Sequence, residues 1–81
     1  MGQQELRTRV KQVIARVLKI EAGAIGDEAN FIFDLGADSM QSVQLMAAFE
    51  EEFGIDLEQD KALAVQSVEG AVNFIAELLP Q

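Results

Sequence analysis

Neither cysteine nor histidine occurs in this 81-residue sequence, and tryptophan and tyrosine are missing too. Without cysteine there is no disulfide framework and no thiolate metal site to supplement the core. Without histidine the chain lacks the commonest general base, the usual metal ligand and the usual activator of a serine nucleophile. Both absences argue against a self-sufficient hydrolase. Long apolar runs are missing as well: none approaches the ~20 residues needed to span a bilayer, so no membrane insertion is expected. The N-terminus has no charged-then-apolar-then-small layout of a secretory signal. Met1-Gly2 is no myristoylation signal, because Leu6 stands where serine or threonine is required. The sequence reads as that of a soluble, cytoplasmic protein. It is too short for two independent cores, so residues 1–81 are read as a single domain of modest stability.

Positive charge is scarce and confined to one end. The net charge is −8, yet residues 1–19 hold Arg7, Arg9, Lys11, Arg16 and Lys19 against Glu5 alone. Beyond them, thirteen acids face the single base Lys61. Such an acidic body repels phosphate backbones and disfavours nucleic acid as a partner, so none is expected. It attracts basic protein surfaces instead, with an association rate that falls as salt rises.

Four segments carry helical periodicity and none shows strand alternation. Leu6, Val10, Val13, Ile14, Val17 and Leu18 form an apolar stripe that predicts a helix from Gln3 to Lys19. A connection of nineteen residues follows, Ile20 to Asp38, long enough to be functional or to contain a local turn. Asp27 and Asn30 suit side-chain-stabilised turns, and Ile25, Phe31 and Leu35 are expected to pin the loop to the core. Phe33 is expected to be buried with them, the alternative being a contact to a partner or an acyl chain.

A second helix should start at Asp38 or Ser39 and run to Phe53, where Gly54 ends it. Ser42, Leu45, Met46, Phe49 and Phe53 form its core stripe. Met40, Val43 and Ala47 form a second stripe, either the edge of a broad core face or a docking surface. Periodicity alone favours the core face. A short third helix is expected over Gln59–Val65, with Ala62, Leu63 and Val65 inward. Ser67 should cap a fourth, in which Val68, Ala71, Val72, Ile75 and Leu78 repeat at helical spacing; Phe74 lies beside this stripe and is expected to pack with it, and Pro80 cannot continue the helix. The fold class is therefore all-α.

Asp38-Ser39 at a helix start is, as a dipeptide, first of all a cap, since both residues accept hydrogen bonds from free amides of the first turn. A serine at an exposed helix start is also an alcohol that another enzyme can modify, and Gly36 before it permits a sharp turn and keeps bulk away. The residues permit this use without demanding it. Asp56-x-Glu58-x-Asp60 resembles half of a calcium loop, but Lys61 replaces the required glycine and Ser67 the bidentate glutamate, so no metal site is assigned. Glu50-Glu51-Glu52 reads as a solvated helix face on the same helix as Ser39.

Phe31-x-x-Asp34-Leu35-Gly36-Ala37-Asp38-Ser39 resembles the signature of the acyl carrier proteins. The likeness continues through Val43-x-Leu45, Glu50-Glu51-x-Phe53-Gly54-Ile55, Ser67-Val68 and Phe74-Ile75, covering Leu6 to Leu78 without insertion. The resemblance implies a four-helix bundle, three main helices plus a short third, with a long loop between the first two. It implies covalent 4′-phosphopantetheine on Ser39, supplied from coenzyme A by a phosphopantetheinyl transferase. Acyl groups would then ride as thioesters on a monomeric carrier that catalyses nothing, for delivery to synthases and acyltransferases with basic docking surfaces. By the same resemblance Asp38, Met40, Val43, Ala47, Glu50 and Glu51 would form the docking face. Leu45 and Phe49 would line an acyl cavity. Gln41 and Gln44 stand where the family commonly has acids, Met40 where it has leucine, and Phe33 where a charge is frequent. The Lys61–Val65 region is also less acidic than the housekeeping pattern. These departures favour a specialised carrier, in polyketide or modified-lipid synthesis, over the general fatty-acid carrier. Two alternatives remain: a cofactor-free acidic interaction module, and a carrier of aminoacyl or aryl groups.

Overall fold

The predicted apolar stripe forms α1, Gln3–Leu18, burying Leu6, Val10, Val13 and Ile14. In this computed structural model, residues 2–62 and 64–79 are described, with only the backbone of Gln59. Lys19 closes α1 in the left-handed region at φ 59°, its N–H donating to Ala15. The chain then makes a 3-10 turn at Ala22–Ala24 and a helical turn over 31–35 before α2, Ser39–Phe53. A single turn of helix, α3, spans Gln59–Ala62, and α4 runs Val68–Leu78. Among the described residues there is no strand, and the protein is an all-α bundle of four helices.

α1 packs against both α2 and α4. Leu45, Met46 and Phe49 of α2 meet Val68, Ala71, Val72 and Ile75 of α4 in one core that also takes in Ile25, Phe31 and Ala62. Two expectations for α4 are corrected. Leu78 is 44% exposed, while Leu79 packs against the core. At 100° per residue, position 79 lies closer than 78 to the direction of buried Ile75, and the chain leaves helical geometry there. Phe74 is half-buried rather than part of the core. α3 ends at Ala62, short of the expected Val65; Ala62 is buried and Val65 half-buried, while Leu63 and Pro80 lie outside the described residues.

The basic end of the chain is turned back onto the acidic body. Arg9 Nη2 donates to Glu52 Oε2 at 2.7 Å and its guanidinium lies 5.0 Å from the centroid of Phe53, clamping α1 to the end of α2. Lys11 and Arg7 both pair with Asp27. Asp27 was expected to stabilise its own turn; instead it ties the long loop to α1, because two α1 cations one helical turn apart face it.

The Lys11 hydrogen bond and charge, with Arg7 adding, hold the Asp27 carboxyl below its ordinary 3.8. The Arg9 hydrogen bond, helped by the charges of Arg9 and Arg16 and opposed by burial, holds Glu52 below its ordinary 4.5. Both values are depressed on folding. Their stabilisation is complete above the unfolded values and disappears as pH falls through the folded ones. Glu52→Gln should therefore melt below wild type at neutral pH, with the gap closing as pH falls below the ordinary glutamate value of 4.5. Thermal melts across that range check this, and a gap that stays constant excludes the linkage.

These pairs leave the exposed Glu28, Asp34, Asp38, Glu51, Asp56 and Asp60 in one segment with little opposing charge. Millimolar divalent cation or added salt should raise the melting temperature by relieving that repulsion. A melt indifferent to both would show the repulsion to be negligible.

Candidate functional site

The helical turn before α2 decides what surrounds Ser39. Asn30 Oδ1 accepts from the N–H groups of Ile32 and Phe33 at 2.9 and 3.0 Å, and Asp34 Oδ2 accepts from Asn30 N–H at 2.7 Å. Backbone bonds Asp34 N–H to Asn30 and Gly36 N–H to Ile32 give the turn α-helical spacing. Phe31 and Leu35, four residues apart, then share its inner face. Phe33, two residues on, points some 200° away. Phe31 is 1% exposed and Phe33 85%, which overturns the expectation that Phe33 is buried. The turn is anchored from below by Phe31 N–H to Gln66 and Val68 N–H to Ala29, which join it to the start of α4.

Gly36 takes φ +74°, a conformation that favours glycine, and a Cβ placed there would meet no atom within 4 Å. The glycine therefore serves the backbone turn, and open space surrounds it. Ala37 N–H then bonds back to Phe31 at 2.8 Å, bringing the chain to Asp38.

Asp38 is the N-cap of α2. Its Oδ1 accepts from Gln41 N–H at 2.8 Å, and Gln41 Oε1 accepts from Asp38 N–H at 3.1 Å, a complete capping box. Ser39 is the first helical residue, and it is exposed. Its hydroxyl makes no hydrogen bond among the described residues. Asp38 does the capping, and Ser39 is left uncommitted at the electropositive start of a 15-residue helix. An exposed primary alcohol with open space beside it fits a covalently attached phosphodiester, whose anion the helix N-terminus favours.

Along α2 the two stripes separate. Leu45 and Phe49 are buried at 0% and 1% exposure, whereas Met40, Val43 and Ala47 are exposed. The reading of the second stripe as part of a broad core face is thus corrected: neither α1 nor α4 reaches it. The acidic run divides three ways. Glu52 pairs with Arg9, Glu50 Oε2 accepts from Leu57 N–H at 3.1 Å, and Glu51 is exposed. That Leu57 contact holds the segment after Gly54, which closes α2 at φ +64°. Asp34 was quoted in the signature but not seen as a clamp; the Asn30-x-x-x-Asp34 spacing is the signal that could have found it. Among the described residues no cluster of histidine, cysteine or acids is placed to hold a metal ion, and no helix is long and apolar enough to cross a membrane.

A helical bundle with an exposed serine, unbonded among the described residues, at the head of its second helix has the layout a carrier needs. Residues 8–75 match the family described as the phosphopantetheine attachment site. The chain is also 46% identical over 74 residues, 91% of each sequence, to an acyl carrier protein of Picosynechococcus sp.. The chain belongs to the acyl carrier proteins of the phosphopantetheine-attachment family. It carries phosphopantetheine, works with partner enzymes and is not itself an enzyme.

Proposed function

We propose that Ser39 is the residue that bears the 4′-phosphopantetheine arm, and that the chain acts as a dedicated acyl carrier. The observation that carries this reading is the division of labour at the head of α2: Asp38 caps the helix while the exposed Ser39 hydroxyl is free of hydrogen bonds among the described residues. In loading, Ser39 Oγ forms a bond to the phosphorus that bears the pantetheine, and the pyrophosphate bond of coenzyme A breaks. Adenosine 3′,5′-bisphosphate leaves, and the hydroxyl proton passes to a base of the transferase. Once bound, the arm supplies a thiol that holds acyl groups as thioesters.

What this chain contributes is position. Asp38 fixes the helix start, Gly36 turns the chain into it, and the arm's length raises the effective concentration of cargo at a partner's active site. Exposed Met40, Val43, Ala47, Asp38 and Glu51, with half-buried Glu50 beside them, suit a docking face for basic synthases and acyltransferases. Leu45 and Phe49 are buried on the same helix as Ser39 and would line any cavity that opens for an acyl chain. The neutral Gln41 and Gln44 on the docking face support a specialised polyketide or lipid pathway over housekeeping fatty-acid synthesis. We read the protein as a single-domain cytoplasmic monomer.

Coexpression with a broad-specificity phosphopantetheinyl transferase, followed by intact-mass measurement, tests the attachment residue. Wild type should gain the mass of one arm. No gain, or the same gain in Ser39→Ala, removes the reading.

A further inference from the structure

Five large hydrophobic side chains are exposed among the described residues, and four of them surround the Ser39 end: Ile32, Phe33, Met40 and Val43. The fifth, Leu78, lies at the C-terminal end of α4, whose N-terminal end is the one joined to the 30–36 turn. Phe33 is the most exposed of the five at 85%. It is held on an ordered turn, with its own N–H and that of Ile32 both bonded to Asn30. A ring presented this way loses little conformational freedom when a partner covers it. The exposed carboxylate of Glu28 precedes it in sequence, and those of Asp34 and Asp38 follow it. The surface that complements this turn is an apolar recess within a cationic rim.

We propose that Phe33 is an apolar anchor for the phosphopantetheinyl transferase that loads this chain; the proposal rests on Ser39 being the attachment residue. That enzyme must bring the phosphate of coenzyme A against Ser39 Oγ. A standard protein interface covers about 800 Å² per partner. The whole carrier measures 32 × 26 × 18 Å, so a footprint of that size around Ser39 takes in the end of the bundle, the turn included. The turn is also tied directly to the residues that lead into Ser39, through Gly36 N–H to Ile32 and Ala37 N–H to Phe31. Aromatic residues, phenylalanine among them, are enriched in protein interfaces relative to the rest of the surface. A second copy of the chain is the less suitable occupant, because both copies would carry a net charge of −8.

The test is steady-state loading of the apo-protein by a broad-specificity phosphopantetheinyl transferase with coenzyme A, followed by intact mass while carrier concentration is varied. Phe33→Glu should raise the KM for the carrier about tenfold, with kcat unchanged within about twofold, the pattern of a lost uniform binding contact. Phe33→Leu should stay near wild type, and Leu78→Glu, at the far end of α4, should match it. Phe33→Ala should also raise the KM, and that rise should persist at high salt, since screening acts on charges and not on the apolar contact. A KM for Phe33→Glu within about twofold of wild type, with wild type loading normally on Ser39, overturns the proposal and leaves the Ser39 reading standing. Failure of wild type to load, or loading of Ser39→Ala, overturns the Ser39 reading and this proposal with it. If Phe33→Glu instead abolishes a concentration-dependent dimer in sedimentation while KM is unchanged, the ring belongs to a second copy and the proposal is wrong.

Discussion

Replacing Ser39 by alanine should abolish loading outright while leaving the melting temperature nearly unchanged. The two effects separate because the helix does not depend on this hydroxyl. Asp38 supplies the capping oxygen, at 2.8 Å from Gln41 N, and Gln41 returns a bond to the Asp38 N–H. A surface substitution away from such features shifts stability by at most about 0.5 kcal/mol. Asp38→Ala should behave in the opposite way. Loss of an N-cap costs about 0.5–2 kcal/mol. In a domain of this size each kcal/mol lowers the melting temperature by about 4–8 °C. That variant keeps the Ser39 hydroxyl and should still acquire the arm in coexpression, more slowly than wild type because Asp38 is also part of the docking face. Intact mass after coexpression and thermal melts of both proteins check the pair. A Ser39→Ala protein that melts far below wild type would mean that the serine is a structural cap after all.

Phe31→Ala and Phe33→Ala, two residues apart, should differ in stability by several kcal/mol. Phe31 is 1% exposed and belongs to the core shared with Phe49, Leu45 and Val68. Truncating a buried phenylalanine costs about 3–5 kcal/mol, through lost transfer energy and the cavity left behind. A chain of 81 residues has a total stability of about 4–12 kcal/mol, so Phe31→Ala should lose a quarter or more of it and unfold at a much lower urea concentration than wild type. Phe33 covers nothing, and its removal should stay within about 0.5 kcal/mol. Urea denaturation monitored by circular dichroism measures both. Similar midpoints for the two variants would show that the 31–35 turn does not hold these rings on opposite sides.

Much of the fold is legible in short stretches of sequence. The N-caps Asp38 and Ser67, the left-handed closure at Gly54 and the buried stripes of α1 and α4 depend on neighbours within a few residues. Such hydrogen bonds and the 3.6-residue period can be read without knowing where the rest of the chain goes. The candidate site was legible in a different way. Asp38-Ser39 by itself says helix start, because the same oxygens that cap a helix are the ones an enzyme can modify. Only the wider pattern, from Phe31 through the acidic helix to Ser67-Val68, distinguishes a carrier from a cap.

Three features were not legible; the first two turn on distant elements, and the third on a local turn. Glu50, Glu51 and Glu52 are chemically identical, yet one holds the segment after α2, one faces solvent and one binds an arginine 43 residues away in sequence. Met40, Val43 and Ala47 look like the margin of a core face, and only the positions of α1 and α4 leave them uncovered. Phe33 reads as one more hydrophobic loop residue until Asn30 and Asp34 wind the loop into a helical turn.

The sequence by itself determined the all-α class, the four helices with their caps, the acidic body and the serine at the head of α2. These follow from local hydrogen bonding and periodicity, which a few consecutive residues encode. Tertiary structure alone decided that α1 neutralises Asp27 and Glu52, and that Met40, Val43 and Ala47 are left uncovered. Whether a side chain is covered or free depends on what packs over it, and those neighbours come from elsewhere in the chain.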